Sequence, residues 1–122
     1  MIIHGREIKF LRTVGAACEI ADICPNGDMA NIGKLFEGTT KERITNMAKV
    51  IHFLNEGYEE AKAFDEEDYK PNPISVKELM LLDDETFNEL FVEATGAFYA
   101  DKQTVEVEPE KKKEEEKAET LD

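Results

Sequence analysis

The segment Thr39-Thr40-Lys41-Glu42 constrains this chain more than any other. A threonine three residues ahead of a glutamate is the capping-box pattern, in which each side chain satisfies the other residue's orphan amide at a helix start. Ile44, Met47, Ala48, Ile51, Leu54 or Asn55, Tyr58 and Ala61 follow at helical spacing, so a helix is expected over about 40–64. In a chain of 122 residues, long enough for one domain, such a helix should be the central packing element. Gly57 reads as a weak point inside it.

The remaining elements are shorter. Ile2-Ile3-His4-Gly5-Arg6-Glu7-Ile8-Lys9-Phe10 reads as a hairpin over 2–10, with Gly5 supplying the positive φ of a tight turn. A two-stranded ribbon is marginal alone, and Thr104-Val105-Glu106-Val107-Glu108 alternates well enough to be a third strand. A helix is expected over 13–23, with Val14, Ala17, Cys18 and Ala21 as its apolar stripe, ended by Pro25-Asn26-Gly27. Asp28 caps another over 28–37, carrying Met29, Ile32, Leu35 and Phe36.

Seven acids against Lys62 alone lie between Glu56 and Asp68, and Tyr69-Lys70-Pro71-Asn72-Pro73 is an extended connector. Ser75-Val76-Lys77-Glu78 repeats the capping box and opens a helix over 75–82. Asp83 or Asp84 caps a last helix over 84–99, with Phe87, Leu90, Phe91, Ala94 and Phe98 on one face and Gly96 weakening its end. Residues 101–122 hold nine acids, five lysines and few apolar groups, the composition of a disordered tail. The expected fold class is therefore mostly α: a small helical domain over 1–100, of four to five helices, with a short N-terminal β-hairpin and a charged C-terminal tail over 101–122.

Charge narrows the function. There are 28 acidic and 15 basic side chains, a net charge of -13. Without the tail, 19 acids still face 10 bases, so the acidity belongs to the folded head. Nucleic-acid binding is disfavoured, because phosphate contacts need clustered Lys or Arg. No apolar run approaches the roughly 20 residues that cross a bilayer, and no signal peptide opens the sequence. A soluble, cytoplasmic protein is expected.

Candidate chemistry is sparse. His4 and His52 have no histidine or cysteine at metal-ligand spacing, Ser75 is the only serine, and no phosphate-binding or dinucleotide fingerprint occurs. Cys18 and Cys24, a C-x5-C pair, are neither a redox motif nor a zinc half-site and read as two buried free thiols. Asp65-Glu66-Glu67-Asp68 lacks the alternating ligands and glycine of a calcium loop and reads as a solvated turn. No catalytic residue, metal or cofactor is assigned, and the expectation is a protein that is not an enzyme.

The apolar run Leu79-Met80-Leu81-Leu82 is more informative, because a short helix cannot bury four consecutive large residues against one face. Core packing is one reading of this region. The other is a patch that takes an amphipathic helix from a partner, with Leu79, Met80, Leu82, Phe87 and Phe91 as the client face and methionines (Met29, Met47, Met80) adding adaptability.

The Gly-turn ribbon Ile3-His4-Gly5-Arg6-Glu7-Ile8-Lys9-Phe10, the small acidic helices and the charged tail together resemble the tail assembly chaperones of long-tailed bacteriophages and prophages of Gram-positive hosts. The resemblance spans most of the chain and rests on layout, size and charge. It implies a non-enzymatic protein of the bacterial host cytoplasm whose partners are the tape measure protein, which it coats, and the tail tube protein, which an extended form recruits. A homo-oligomer is compatible with it. In that family a ribosomal frameshift near the gene's end makes the extended form, and Lys111-Lys112-Lys113 is encoded by A-rich codons that suit one. The competing reading is an acidic adaptor or inhibitor of a phage or mobile element, mimicking nucleic acid with its carboxylates.

Overall fold

The structure, a computed structural model, describes residues 1–107, and side chains through residue 100. Strands β1 (Ile2–Ile3) and β2 (Arg6–Glu7) pair antiparallel, followed by helices α1 (Val14–Ile23), α2 (Thr40–Asp65), α3 (Val76–Leu79) and α4 (Asp84–Val107). Two 3-10 segments, Pro25–Gly27 and Met29–Phe36, join α1 to α2. The mostly helical class and the hairpin agree with the sequence reading. No helix among the described residues is long and apolar enough to cross a membrane.

Local chemistry sets the helix starts. Thr39 Oγ1 accepts from the Glu42 amide at 3.1 Å while Glu42 Oε1 accepts from the Thr39 amide at 2.9 Å, and Ser75 and Glu78 repeat this exchange at 3.0 and 2.9 Å. Thr13 caps α1 through the Ala16 amide at 3.0 Å, and Asp83 caps α4 through the Thr86 amide at 3.1 Å. The hairpin turns through His4 and Gly5, both at positive φ (50° and 82°), which the right-handed twist of the paired strands requires of a two-residue turn.

Helix α2 lies at the centre, packed by α1, the second 3-10 segment, α3 and α4. Ala48, Val50, Ile51 and Leu54 of α2 join Ile3 and Ile8 of the hairpin, Ile20 of α1, Leu35, Ile74, Leu79, and Leu90 and Ala94 of α4 in one core. Gly57 is a crossing point of this packing. A Cβ there would stand 2.6 Å from the Leu11 carbonyl oxygen and 3.3 Å from the Ala16 Cβ. The segment leading into α1 thus lies directly on α2, where the Leu11 amide also donates to the Leu54 carbonyl at 3.0 Å. A weak point in the sequence reading becomes the place where close approach demands glycine.

Several expectations are corrected. Helix α1 buries Ala16 and Ile20, with Cys24 just beyond its end, whereas Val14 is 83% exposed and Cys18 is exposed. The expected stripe omitted Ile20, and docking at Gly57 turns the Ala16–Ile20 row inward. Only Cys24 is a buried thiol; burial, then the charge of Asp28, pushes it up. The helix expected over 28–37 is 3-10, with Asn31 at φ -95° and ψ 15°, anchored by Asn46 Nδ2 donating to the Leu35 carbonyl at 2.9 Å. The helix expected over 75–82 is the single turn Val76–Leu79. Among the described residues no third strand forms, because α4 continues through residues 104–107. Residues 101–107, expected in the tail, belong to that helix, and Glu108, Lys111-Lys112-Lys113 and the rest of the tail lie outside the described residues.

Candidate interaction surface

Two buried polar residues of α2 come first, since burial of such groups marks either structure or chemistry. Asn55, fully buried, donates from Nδ2 to the Lys9 carbonyl at 2.8 Å and accepts at Oδ1 from the Ile74 amide at 2.7 Å. One turn on, Glu59 Oε1 accepts from the Asn72 amide at 3.0 Å and from the Tyr69 hydroxyl. The Glu59 carboxylate is the chief cause that pushes the Tyr69 phenol up to about 12. His52 Nδ1 stands 2.7 Å from the Ile74 carbonyl, so that nitrogen carries the proton. Arg6 reaches the same connector, donating to the Asn72 carbonyl and pairing with Glu78 at 3.4 Å.

These residues zip the extended connector onto α2. They fell outside the sequence expectations, apart from the alternation "Leu54 or Asn55". Both prove buried, Leu54 among apolar groups and Asn55 against two backbones. An extended connector without its own ladder must satisfy its amides elsewhere, and that need was the available signal.

Next to this seam, Glu19, Glu56 and Glu60 border a cleft of about 300 Å³ above Gly57 and Ala16. A hydrogen bond with Glu56 is the main cause that raises the Glu19 carboxyl above its ordinary range, followed by burial. His52 Nε2 lies 4.0 Å from Glu56 Oε2. Among the described residues no group of three or more His, Cys, Asp or Glu is placed to hold a metal ion.

The expected client face divides. Leu79 and Phe87 are core residues, so they are withdrawn from it. Leu82 and Phe91 are half-buried and pack on the core, Phe91 meeting Phe36 edge-on with ring centroids 5.5 Å apart. Met80 is 44% exposed, and the neighbouring Leu81, which the sequence reading did not include, is 74% exposed. Met29 and Met47 also lie half-buried against the core, which leaves Met80 as the exposed methionine of the three. The geometry follows from the one-turn helix: Leu79 points inward, then the chain turns toward the Asp83 cap, and Met80 and Leu81 are carried on the outside. Asp83, its carboxyl held below the ordinary range chiefly by the hydrogen bond with Thr86, adds negative charge beside the pair.

This exposed corner, an apolar pair on a strongly acidic head, is the feature best suited to meet another protein. Compared with known proteins, the chain matches no family model, no curated protein and no solved structure.

Proposed function

We propose that this chain is a non-enzymatic tail assembly chaperone, which binds the long helical tape measure protein of a phage or prophage, keeps it soluble, and helps recruit tail tube subunits. The single observation that supports this reading is the exposed Met80–Leu81 corner on an acidic helical head. An apolar corner can cover part of a client's own apolar stripe, while the net charge of -13 keeps the complex dispersed by mutual repulsion. A patch of this size gives modest affinity per copy, which suits a cover that assembling tube must displace.

The test is co-expression with a tape measure fragment that is insoluble alone. The fragment should become soluble and co-purify with the wild-type chain. The double variant M80D/L81D should lose that capture while its circular dichroism stays helical, because both side chains face solvent. A fragment that stays insoluble with the wild-type chain overturns the chaperone reading in favour of an acidic adaptor.

A further inference from the structure

Helix α4 has two faces of opposite character. Phe87, Leu90, Ala94 and Phe98 enter the core. On the outward side, Asn88, Val92, Gly96 and Tyr99 recur at steps of four, four and three, which aligns them along one stripe. All four are exposed, Val92 by 68%. Asn88 and Val92 join Met1, Glu89 and Glu93 around an open, mainly apolar groove of about 430 Å³.

Gly96 interrupts the stripe without an internal cause. Its φ is not positive, and a Cβ there would meet nothing within 4 Å. A glycine inside an exposed helix costs about 1 kcal/mol relative to alanine. What it provides is a notch between Val92 and Tyr99, where a second backbone can come close.

Charge selects the occupant. Glu85, Glu89 and Glu93 run along the flank at four-residue steps, and no lysine or arginine occurs between Asp84 and Ala100. Like charges at that spacing repel one another. Among the described residues, the one cation within ion-pair distance of the row is the Met1 ammonium, 3.3 Å from Glu93 Oε1. A second copy of the chain seated on this face would bring two such rows together, so self-association there is disfavoured. A helix with basic flanks would neutralise the row while its seam fills the groove.

We propose that the outward face of α4, the stripe Asn88, Val92, Gly96 and Tyr99 with its glutamate flank, docks an amphipathic helix of a partner protein whose seam is apolar and whose flanks carry lysine or arginine. This surface is distinct from the Met80–Leu81 corner and does not depend on the chaperone reading.

The probe is a synthetic amphipathic helical peptide of about 20 residues, with an alanine-leucine seam and lysine flanks, alongside the same peptide with glutamate flanks. Binding to the isotope-labelled full chain is followed by amide shifts and by titration. The lysine peptide should bind and shift amides over 88–99, and the glutamate peptide should bind at least about tenfold more weakly. Gly96→Leu, which fills the notch where there is open space, should weaken the lysine peptide about tenfold without lowering the thermal midpoint. Glu89→Lys should also weaken it, while leaving the core untouched. No binding of the lysine peptide, or binding that neither variant changes, overturns the proposal. Shifts centred on Met80 and Leu81 overturn it as well.

Discussion

The seam between α2 and the connector and the corner between α3 and α4 treat their side chains in opposite ways. At the seam, Asn55, Glu59 and His52 each meet a backbone group of Lys9, Asn72 or Ile74. At the corner, Leu81 projects into solvent two residues after the fully buried Leu79. The seam spends polar groups on holding an irregular strand, and every partner is inside the chain. The corner and the outward face of α4 leave Met80, Leu81 and Val92 exposed beside a row of carboxylates that meets one cation among the described residues, the Met1 ammonium at Glu93. Surface of the second kind is available to another molecule; surface of the first kind is not.

The contrast can be broken by substitution. The largest effect should come from Leu79→Ala, because a fully buried leucine leaves both lost transfer energy and a cavity, about 2–5 kcal/mol by chemical denaturation. Asn55→Ala orphans the Lys9 carbonyl and the Ile74 amide together, and should cost about 2–3 kcal/mol. A result near zero would mean that water replaces the amide and that the seam is looser than its geometry.

Gly57 and Gly96, both in helix interiors, should differ in sign. Gly57→Ala drives a Cβ onto the Leu11 carbonyl and should destabilise by about 1–3 kcal/mol. Gly96→Ala meets open space and should stabilise by up to about 1 kcal/mol. The same sign at both positions would remove the argument that only one is held by packing.

Tyr69→Phe deletes one hydroxyl that donates to Glu59 and should lower the thermal midpoint slightly. The phenol is raised in the fold to about 12 from an ordinary 10, so its contribution is fully present below pH 10 and fades as pH rises toward 12. A thermal midpoint that falls over that window in the wild type, and falls less in Tyr69→Phe, is the expected record. At the acid end the sign reverses. The Glu78 carboxyl is held below its ordinary range, chiefly by the Ser75 amide, so the second capping box weakens as pH drops through that lowered value. The smallest effect belongs to Leu81→Ser, expected within about 0.5 kcal/mol of wild type. A large loss would return Leu81 to the core and erase the corner.

Much of the scaffold could be read in advance from residues close together in sequence. Thr39 with Glu42, Ser75 with Glu78, and the pair Asp83-Asp84 mark three helix starts, and caps form at Thr39, Ser75 and, of the acidic pair, Asp83. The statement that Leu79-Met80-Leu81-Leu82 could not all be buried also holds, although the choice of exposed members did not. The client-face reading includes the buried Leu79 and omits the exposed Leu81, because a single turn has no repeat from which to read its facing. The buried face of α1 differs from its expected stripe for a related reason. Its apolar residues are spread around the cylinder, and Val14–Cys18 and Ala16–Ile20 offer rival stripes of small and medium side chains. Asn55 and Glu59 were opaque because polar residues in a helix read as solvent-facing until the strand that covers them is known.

Capping, turn chemistry and charge therefore came with the amino-acid order, since each depends on groups within about four residues of one another. Which face each helix buries was decided only when distant segments met. Residues around Leu11 laid across Gly57 rotated α1, and the connector at Asn72 and Ile74 turned two polar residues of α2 inward. Those outcomes rest on steric contact and hydrogen-bond satisfaction between segments far apart in the chain, and local pattern carries no record of them.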